Sequence, residues 1–171
     1  NFGIELNFQV SATDVEDGDL ADSVAWTSSL DGNIGNGDSI AVDDLSVGAH
    51  TITASVTDSN GANGSGSISV TINNNAPIVN ITNPADGANV PFGNDINFRA
   101  TANDAEDGDV AEDITWSSSI DGGLGNGGSI NVDDLSVGSH TIVALVADDD
   151  GANGSDTITV TITNNAPTVN M

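Results

Sequence analysis

Carboxylates and glycines recur in two short runs that have the composition of a hard-cation site. One run is Asp104-Ala105-Glu106-Asp107-Gly108-Asp109, matched earlier by Asp14-Val15-Glu16-Asp17-Gly18-Asp19. The other is Asp148-Asp149-Asp150-Gly151, matched by Asp58-Ser59-Asn60-Gly61. Calcium takes about six to eight oxygen ligands at roughly 2.3–2.6 Å in a flexible geometry, and carboxylates, amide oxygens and glycine-exposed carbonyls supply them. Magnesium demands a stricter octahedron and keeps its waters. Zinc wants histidine or cysteine, and neither occurs in these runs. The spacing is not that of an EF-hand, since Thr115 stands where that loop needs its bidentate glutamate. The expected calcium ligands in the second copy are Asp104, Glu106, Asp109, Asp148 and Asp150, with Asp107 and the linker residue Asn75 beside them. In the first copy they are Asp14, Glu16, Asp17, Asp19, Asp58 and Asn60. Neutral Asn60 replaces Asp150 there, so that site is expected to be weaker or to be completed by a neighbour. The competing reading is a solvated acidic loop built on Asp-Gly turns.

The whole chain bears on the choice. Its 171 residues carry 26 acidic side chains against a single Arg99 and no lysine, a formal net charge of -25. Such a surface excludes nucleic acid and anionic membranes as partners, because both need Lys or Arg to neutralise phosphate. It also strains the compact state by self-repulsion unless cations sit among the carboxylates. There is no cysteine, hence no disulfide or thiolate chemistry. No apolar run approaches the roughly 20 residues of a membrane span. If the protein is exported, its targeting segment is expected outside this sequence.

The elements that position these acids are duplicated. Trp26 returns as Trp116, His50 as His140, Phe8 as Phe98, and Asn75-Ala76-Pro77 as Asn165-Ala166-Pro167, each 90 residues on. A period of that size is one sandwich domain, so the pattern reads as a tandem array rather than a short-repeat solenoid. Residues 1–74 form a first repeat that lacks its first strand, and residues 75–164 a complete second repeat. Residues 165–171 are a linker plus the start of a further first strand. That tail belongs either to the next repeat of a longer chain or to a strand donated head-to-tail to another subunit. Period-two alternation marks strands at Val79 and Ile81; at Ile96, Phe98, Ala100 and Ala102; at Ile114 and Trp116; at Ile130 and Val132; at Ile142, Ala144 and Val146; and over Thr157–Ile162. No segment shows a helical period with caps. The expected fold is all-β: tandem Ig-like Greek-key β-sandwiches. Trp26 and Trp116 read as core tryptophans of the third strand. His50 and His140 occupy the place where sandwich domains often carry a corner tyrosine, with no serine or cysteine partner signalled by a motif.

The residues Ile96-Asn97-Phe98-Arg99-Ala100-Thr101-Ala102-Asn103-Asp104, Ile114-Thr115-Trp116 and Gly138-Ser139-His140-Thr141-Ile142-Val143-Ala144-Leu145-Val146-Ala147-Asp148 resemble PKD-type and related bacterial Ig-like domains. The similarity covers both copies. It departs at Trp116-Ser117-Ser118-Ser119-Ile120-Asp121-Gly122, where PKD domains carry Trp-Asp-Phe-Gly-Asp-Gly, so the likeness is PKD-like rather than PKD proper. Asn73-Asn74-Asn75-Ala76-Pro77 is similar to the calcium-binding linker of cadherins. The resemblance implies repeats of large secreted or surface proteins of the adhesin type.

In Ig topology the two acidic loops and the linker emerge at one end of the sandwich. Asp43 and Asp44, in the turn at the other end of the first copy, are expected to face the acidic loops of the second. Calcium shared across that seam would stiffen the array. The expected function is therefore a calcium-rigidified structural repeat of an extracellular bacterial adhesin or filament, not an enzyme. Its partners are calcium ions and neighbouring repeats or identical subunits, with any glycan or surface receptor bound elsewhere in the parent chain. The alternative is a spacer or carbohydrate-binding domain of a secreted polysaccharide-degrading enzyme.

Overall fold

The computed structural model describes residues 3–171; Asn1 and Phe2, at the start of the first repeat, lie outside the described residues. The chain divides into two compact units, Asn1–Asn74 and Asn75–Met171. Unit 1 runs β1 (Leu6–Gln9), β2 (Thr13–Asp14), β3 (Gly18–Asp19), a 3-10 turn (Ala21–Ser23), β4 (Ala25–Ser28), β5 (Gly32–Asn36), β6 (Ser39–Val42), β7 (Gly48–Thr57) and β8 (Asn63–Ile72). Unit 2 runs β9 (Ile78–Asn83), β10 (Ala88–Pro91), β11 (Ile96–Asp104), β12 (Gly108–Asp109), a 3-10 turn (Ala111–Asp113), β13 (Thr115–Ser118), β14 (Gly122–Asn126), β15 (Ser129–Val132), β16 (Gly138–Ala147) and β17 (Asn153–Thr163).

Unit 2 is a two-sheet sandwich. One sheet has β11 at its centre, flanked by β9, β12 and β15; the other follows the order β10-β17-β16-β13-β14. The pairing of β11 with β15, across the intervening β13 and β14 of the other sheet, is the Greek-key crossover. Alternation along β11 buries Ile96, Phe98, Ala100 and Ala102, while β16 and β17 bury Ile142, Ala144, Val146, Ile158, Val160 and Ile162. These two inner faces enclose Trp116, whose ring lies 5.7 Å from that of Phe98, and whose indole N–H donates to Gly127 O at 2.8 Å. A buried tryptophan needs that acceptor. The all-β, Ig-like sandwich is what the alternation of the sequence predicts.

Two strands carry no such signal. The first strand divides: β9 pairs antiparallel with β11, then the chain crosses after Asn83 and β10 pairs in parallel with β17 on the other sheet. β14 is Gly122-Gly123-Leu124-Gly125-Asn126, without alternating apolar residues, and it pairs with β13 through a register shift at Trp116/Ser117. Gly125 adopts φ +149 there, and an added Cβ would meet Ile130 Cγ2 at 3.4 Å.

Unit 1 repeats the plan with β1 on β6, and with β5-β4-β7-β8 as the second sheet. Phe8, Val24, Trp26, Val42, Leu45, Ile52, Ala54 and Ile72 form its core. Among the described residues it has no counterpart of β9 or β10. Correspondingly β1 spans four residues where β11 spans nine.

Candidate metal centre

The loop after β11 is built around Asp104, only 7% exposed. Its Oδ1 accepts the amide N–H groups of Glu106 (2.8 Å) and Asp107 (3.1 Å), which folds Asp104–Gly108 into a tight turn. Burial alone would push this carboxyl up. The two amide donors outweigh it and hold Asp104 below its ordinary value. Asn75, the first residue of unit 2, fastens the other carboxylate: its backbone N–H (3.2 Å) and its side-chain amide (2.7 Å) both donate to Glu106 Oε1. The remaining oxygens, Asp104 Oδ2 and Glu106 Oε2, are buried and have no hydrogen-bond partner. Linker, loop and two unpartnered carboxylate oxygens thus meet at one place.

The other expected ligands are arranged differently. Asp107 Oδ2 accepts the N–H of Asp149 at 3.0 Å, so this side chain staples the loop after β11 to the loop after β16. Asp109 Oδ1 accepts Ala111 N–H at 3.0 Å and starts the 3-10 turn. Asp148 is buried, with Oδ1 accepting Ala152 N–H at 2.7 Å, and Asp150 is exposed. Among the described residues no three acidic or histidine side chains are gathered into a metal cage. A cation held by two carboxylate oxygens and completed by carbonyls and water does not require one. Two anionic oxygens withdrawn from water without a donor are costly unless a positive charge is supplied, so the residues present fit a hard cation at the Asp104–Glu106 pair.

Unit 1 carries the same scaffold with a more open carboxylate pair. Asp14 Oδ1 accepts Asp17 N–H (2.9 Å) and Glu16 N–H (2.8 Å), and these bonds lower its pKa. Asp17 accepts both the N–H and the hydroxyl of Ser59 at 2.9 Å, the counterpart of the Asp107 staple. Asp19 accepts Ala21 N–H, and Asp58 accepts the N–H groups of Asn60 and Ala62. Asp14 is half-buried and Glu16 exposed. Asp43 and Asp44 follow β6 and are exposed within unit 1.

A second polar cluster has no motif in the sequence. His50 and His140 are buried, and each Nδ1 lies 2.8 Å from a serine hydroxyl, Ser28 or Ser118. Each Nε2 lies 2.7 Å from a backbone carbonyl, Ser46 or Ser136. A carbonyl only accepts, so Nε2 carries the proton and, in the neutral ring, the serine donates to Nδ1. Asp31 and Asp121 approach the same Nδ1 at 3.3 and 3.5 Å and accept from Ser46 and Ser136. In a nucleophilic triad the serine and the carboxylate face opposite imidazole nitrogens. Here they share one, and the other is tied to the backbone, which makes the cluster a corner lock between the β4–β5 turn and the entry to β7, and its counterpart in unit 2. The signal available beforehand was the 90-residue repeat of Ser28, Asp31, Ser46 and His50 together.

No protein-family model matches the chain, and no curated protein matches it. Among solved structures it is similar to fibronectin(III)-like modules of Clostridium thermocellum CbhA, at 19% identity over 95% of this chain and 87% of that one, with a TM-score of 0.43. It is also similar to SGBP-B of the Bacteroides ovatus mixed-linkage glucan utilization locus, solved with a mixed-linkage heptasaccharide, at 17% identity over 81% of this chain, with a TM-score of 0.28. The match spans 37% of that second chain. The strand pairing within the two units makes the chain a tandem pair of all-β, Ig-like sandwich domains.

Proposed function

We propose that the chain is a non-catalytic structural repeat of an extracellular or cell-surface protein of the adhesin or filament type, and that it binds calcium where the linker meets unit 2. The observation that carries this reading is the buried, donor-less pair Asp104 Oδ2 and Glu106 Oε2, with Asn75 fastened to the same glutamate. Calcium would neutralise the pair and, through Glu106, hold the root of the linker against its domain. Asp104 and Glu106 are the proposed carboxylate ligands, with Asp148, Asp150 and Asp109 of the same loops as further oxygen donors. Asp107 is proposed as the staple that keeps the two loops together. In unit 1, Asp14 and Glu16 form the weaker counterpart.

Extracellular modules of this kind bind calcium at about 10⁻⁴ to 10⁻³ M, a range suited to the outside of a cell. The carbohydrate-binding alternative calls for an exposed aromatic platform. Phe8, Phe98, Trp26 and Trp116 are instead buried in the two cores, and Phe92 is the exposed aromatic among the described residues. The test is thermal unfolding of the 171-residue chain in calcium and in chelator. A site at 100 times its dissociation constant adds about 2.7 kcal/mol, so unit 2 should melt higher in calcium, and an Asp104→Asn variant should lose that gain. Equal melting in calcium and chelator would overturn the proposal.

A further inference from the structure

Five asparagines in the chain precede a glycine: Asn36, Asn60, Asn63, Asn126 and Asn153. Such a step has a chemistry of its own. A glycine amide nitrogen, with no Cβ beside it, can approach the asparagine side-chain carbonyl carbon and close a cyclic imide. Closing that ring requires the glycine N–H to leave its hydrogen bond and the backbone to rotate out of an extended conformation.

The fold restrains four of the five steps. Asn63-Gly64 and Asn153-Gly154 are paired residue by residue in the β7–β8 and β16–β17 ladders. Asn63 Oδ1 also accepts the Thr57 hydroxyl, and Gly154 is buried. Asn36 and Asn126 are the last residues of β5 and β14. The amides that follow them, of Gly37 and Gly127, donate to Val24 O at 2.8 Å and to Ile114 O at 2.7 Å.

Asn60 stands apart. It lies in the turn between β7 and β8, outside any strand, and both it and Gly61 are exposed. Its main-chain N–H donates to Asp58 Oδ1 at 2.9 Å, and its side chain has no hydrogen-bond partner among the described residues. Gly61 N–H donates to Asp58 O at 3.2 Å, a longer bond than those of Gly37 and Gly127. Gly61 takes φ +89, where glycine alone moves without strain. The matching turn of unit 2 has the same geometry: Gly151 takes φ +89 and donates to Asp148 O at 3.2 Å. The residue before that glycine is Asp150, exposed like Asn60 but already an acid.

We infer that Asn60 is a site of spontaneous deamidation, by which the turn of unit 1 acquires the acid that the turn of unit 2 already carries. Gly61 N gives up its proton to hydroxide and attacks Asn60 Cγ. The Cγ–Nδ2 bond breaks, and the side-chain nitrogen leaves as ammonia. One water then opens the imide: cleavage at Cγ leaves aspartate, and cleavage at the main-chain carbonyl leaves isoaspartate. The balance is one water consumed and one ammonia released, with no oxidant or reductant. The new carboxylate sits in the loop that Ser59 fastens to Asp17 at 2.9 Å, close in the chain to the acids expected to serve unit 1. Any gain in calcium affinity there rests on the calcium reading; the deamidation does not.

The experiment ages the folded 171-residue chain in mildly alkaline heavy-oxygen water, in chelator throughout, and maps it by cleavage at acidic residues and tandem mass spectrometry. Position 60 should convert at least about tenfold faster than Asn36, Asn63, Asn126 and Asn153, the ratio that one further main-chain hydrogen bond to open supplies. Heavy oxygen should enter there, and both acid products should form. In denaturant the five rates should converge. Asn60→Gln, which needs a larger ring, should abolish the early conversion while leaving the far-ultraviolet spectrum unchanged, since the side chain is exposed. An Asn60 amide that persists while another Asn-Gly step converts, or five equal rates in the folded chain, would overturn the inference. Because calcium is absent from the assay, failure of the metal proposal would leave this result unaltered.

Discussion

Gly154→Ala is a small change with a large calculated consequence. The new Cβ would lie 2.0 Å from Pro77 O, 2.8 Å from Pro77 C and 3.1 Å from Pro77 Cβ, where ordinary contact begins near 3.4 Å. Backbone faces the methyl, so no side-chain rotation relieves it; the approach to β9 must retreat by about 1.4 Å, the difference between those distances. That retreat breaks the Asn75–Glu106 contacts at 2.7 and 3.2 Å, and strains the Ile81–Asp156 bond at 2.7 Å. Hydrogen bonds to carboxylates contribute about 1.5–3 kcal/mol each, and overpacking costs about 1–3 kcal/mol. Partial relaxation places the expected loss at about 3 kcal/mol. For a domain of this size, 1 kcal/mol moves Tm by about 4–8 °C, so unit 2 should melt roughly 12–24 °C lower. Backbone conformation does not oppose the change, because Gly154 is not among the positive-φ glycines, and alanine in a strand is otherwise favoured by about 0.5–1 kcal/mol. Tryptophan fluorescence in a Trp26→Phe background reads unit 2 through Trp116 alone. Gly64→Ala, whose Cβ would meet only Val56 Cγ1 at an ordinary contact distance of 3.9 Å, serves as the matched control and should leave unit 1 unchanged or slightly more stable. Equal, near-zero effects at both glycines would refute the argument that β9 is held by backbone contact.

Replacing His140 with Phe removes both ring contacts, leaving Ser118 Oγ without its Nδ1 acceptor and Ser136 O without a donor. A buried unsatisfied group costs about 1–3 kcal/mol, so unit 2 should lose about that much in denaturant titration, while unit 1, with His50 intact, should not. The Ser136 hydroxyl and amide hold the Asp121 carboxyl below its ordinary value; at Asp31 burial pulls the other way, but the Ser46 donors and the adjacent His50 prevail. A depressed folded-state pKa stabilises above the unfolded value, about 3.9, and that contribution is lost as pH falls through the lower folded value. Acid melting of unit 2 should therefore steepen below about pH 4, and Asp121→Asn should make the slope shallower. Identical slopes would contradict the corner-lock assignment.

Much of the fold was legible because duplication and alternation are direct consequences of packing. Phe98, Ala100 and Ala102 must share a face if they are two apart in a strand, and Trp116 must be enclosed if both sheets present such faces. β10 and β14 were not legible. Ala88–Pro91 joins a sheet through parallel pairing with β17, which leaves no local pattern, and Gly122–Asn126 holds its place by backbone bonds with almost no side chains. At the site, composition pointed to the loops and to the linker, and the structure joins them through Asn75–Glu106 and Asp107–Asp149. Sequence could not distinguish carboxylates that accept backbone N–H groups, such as Asp107 and Asp109, from the two oxygens that accept nothing. That distinction depends on which amides the turn happens to expose. The same limit hid Ser28 and Ser118, which reach their histidines across neighbouring strands, 22 residues apart.

The central claim is that a divalent cation sits between Asp104 Oδ2 and Glu106 Oε2. A crystal grown in calcium, measured for anomalous scattering, addresses it directly. The account predicts a peak within about 2.3–2.6 Å of both oxygens. Water alone at that position, with the two carboxylates turned apart, would contradict it.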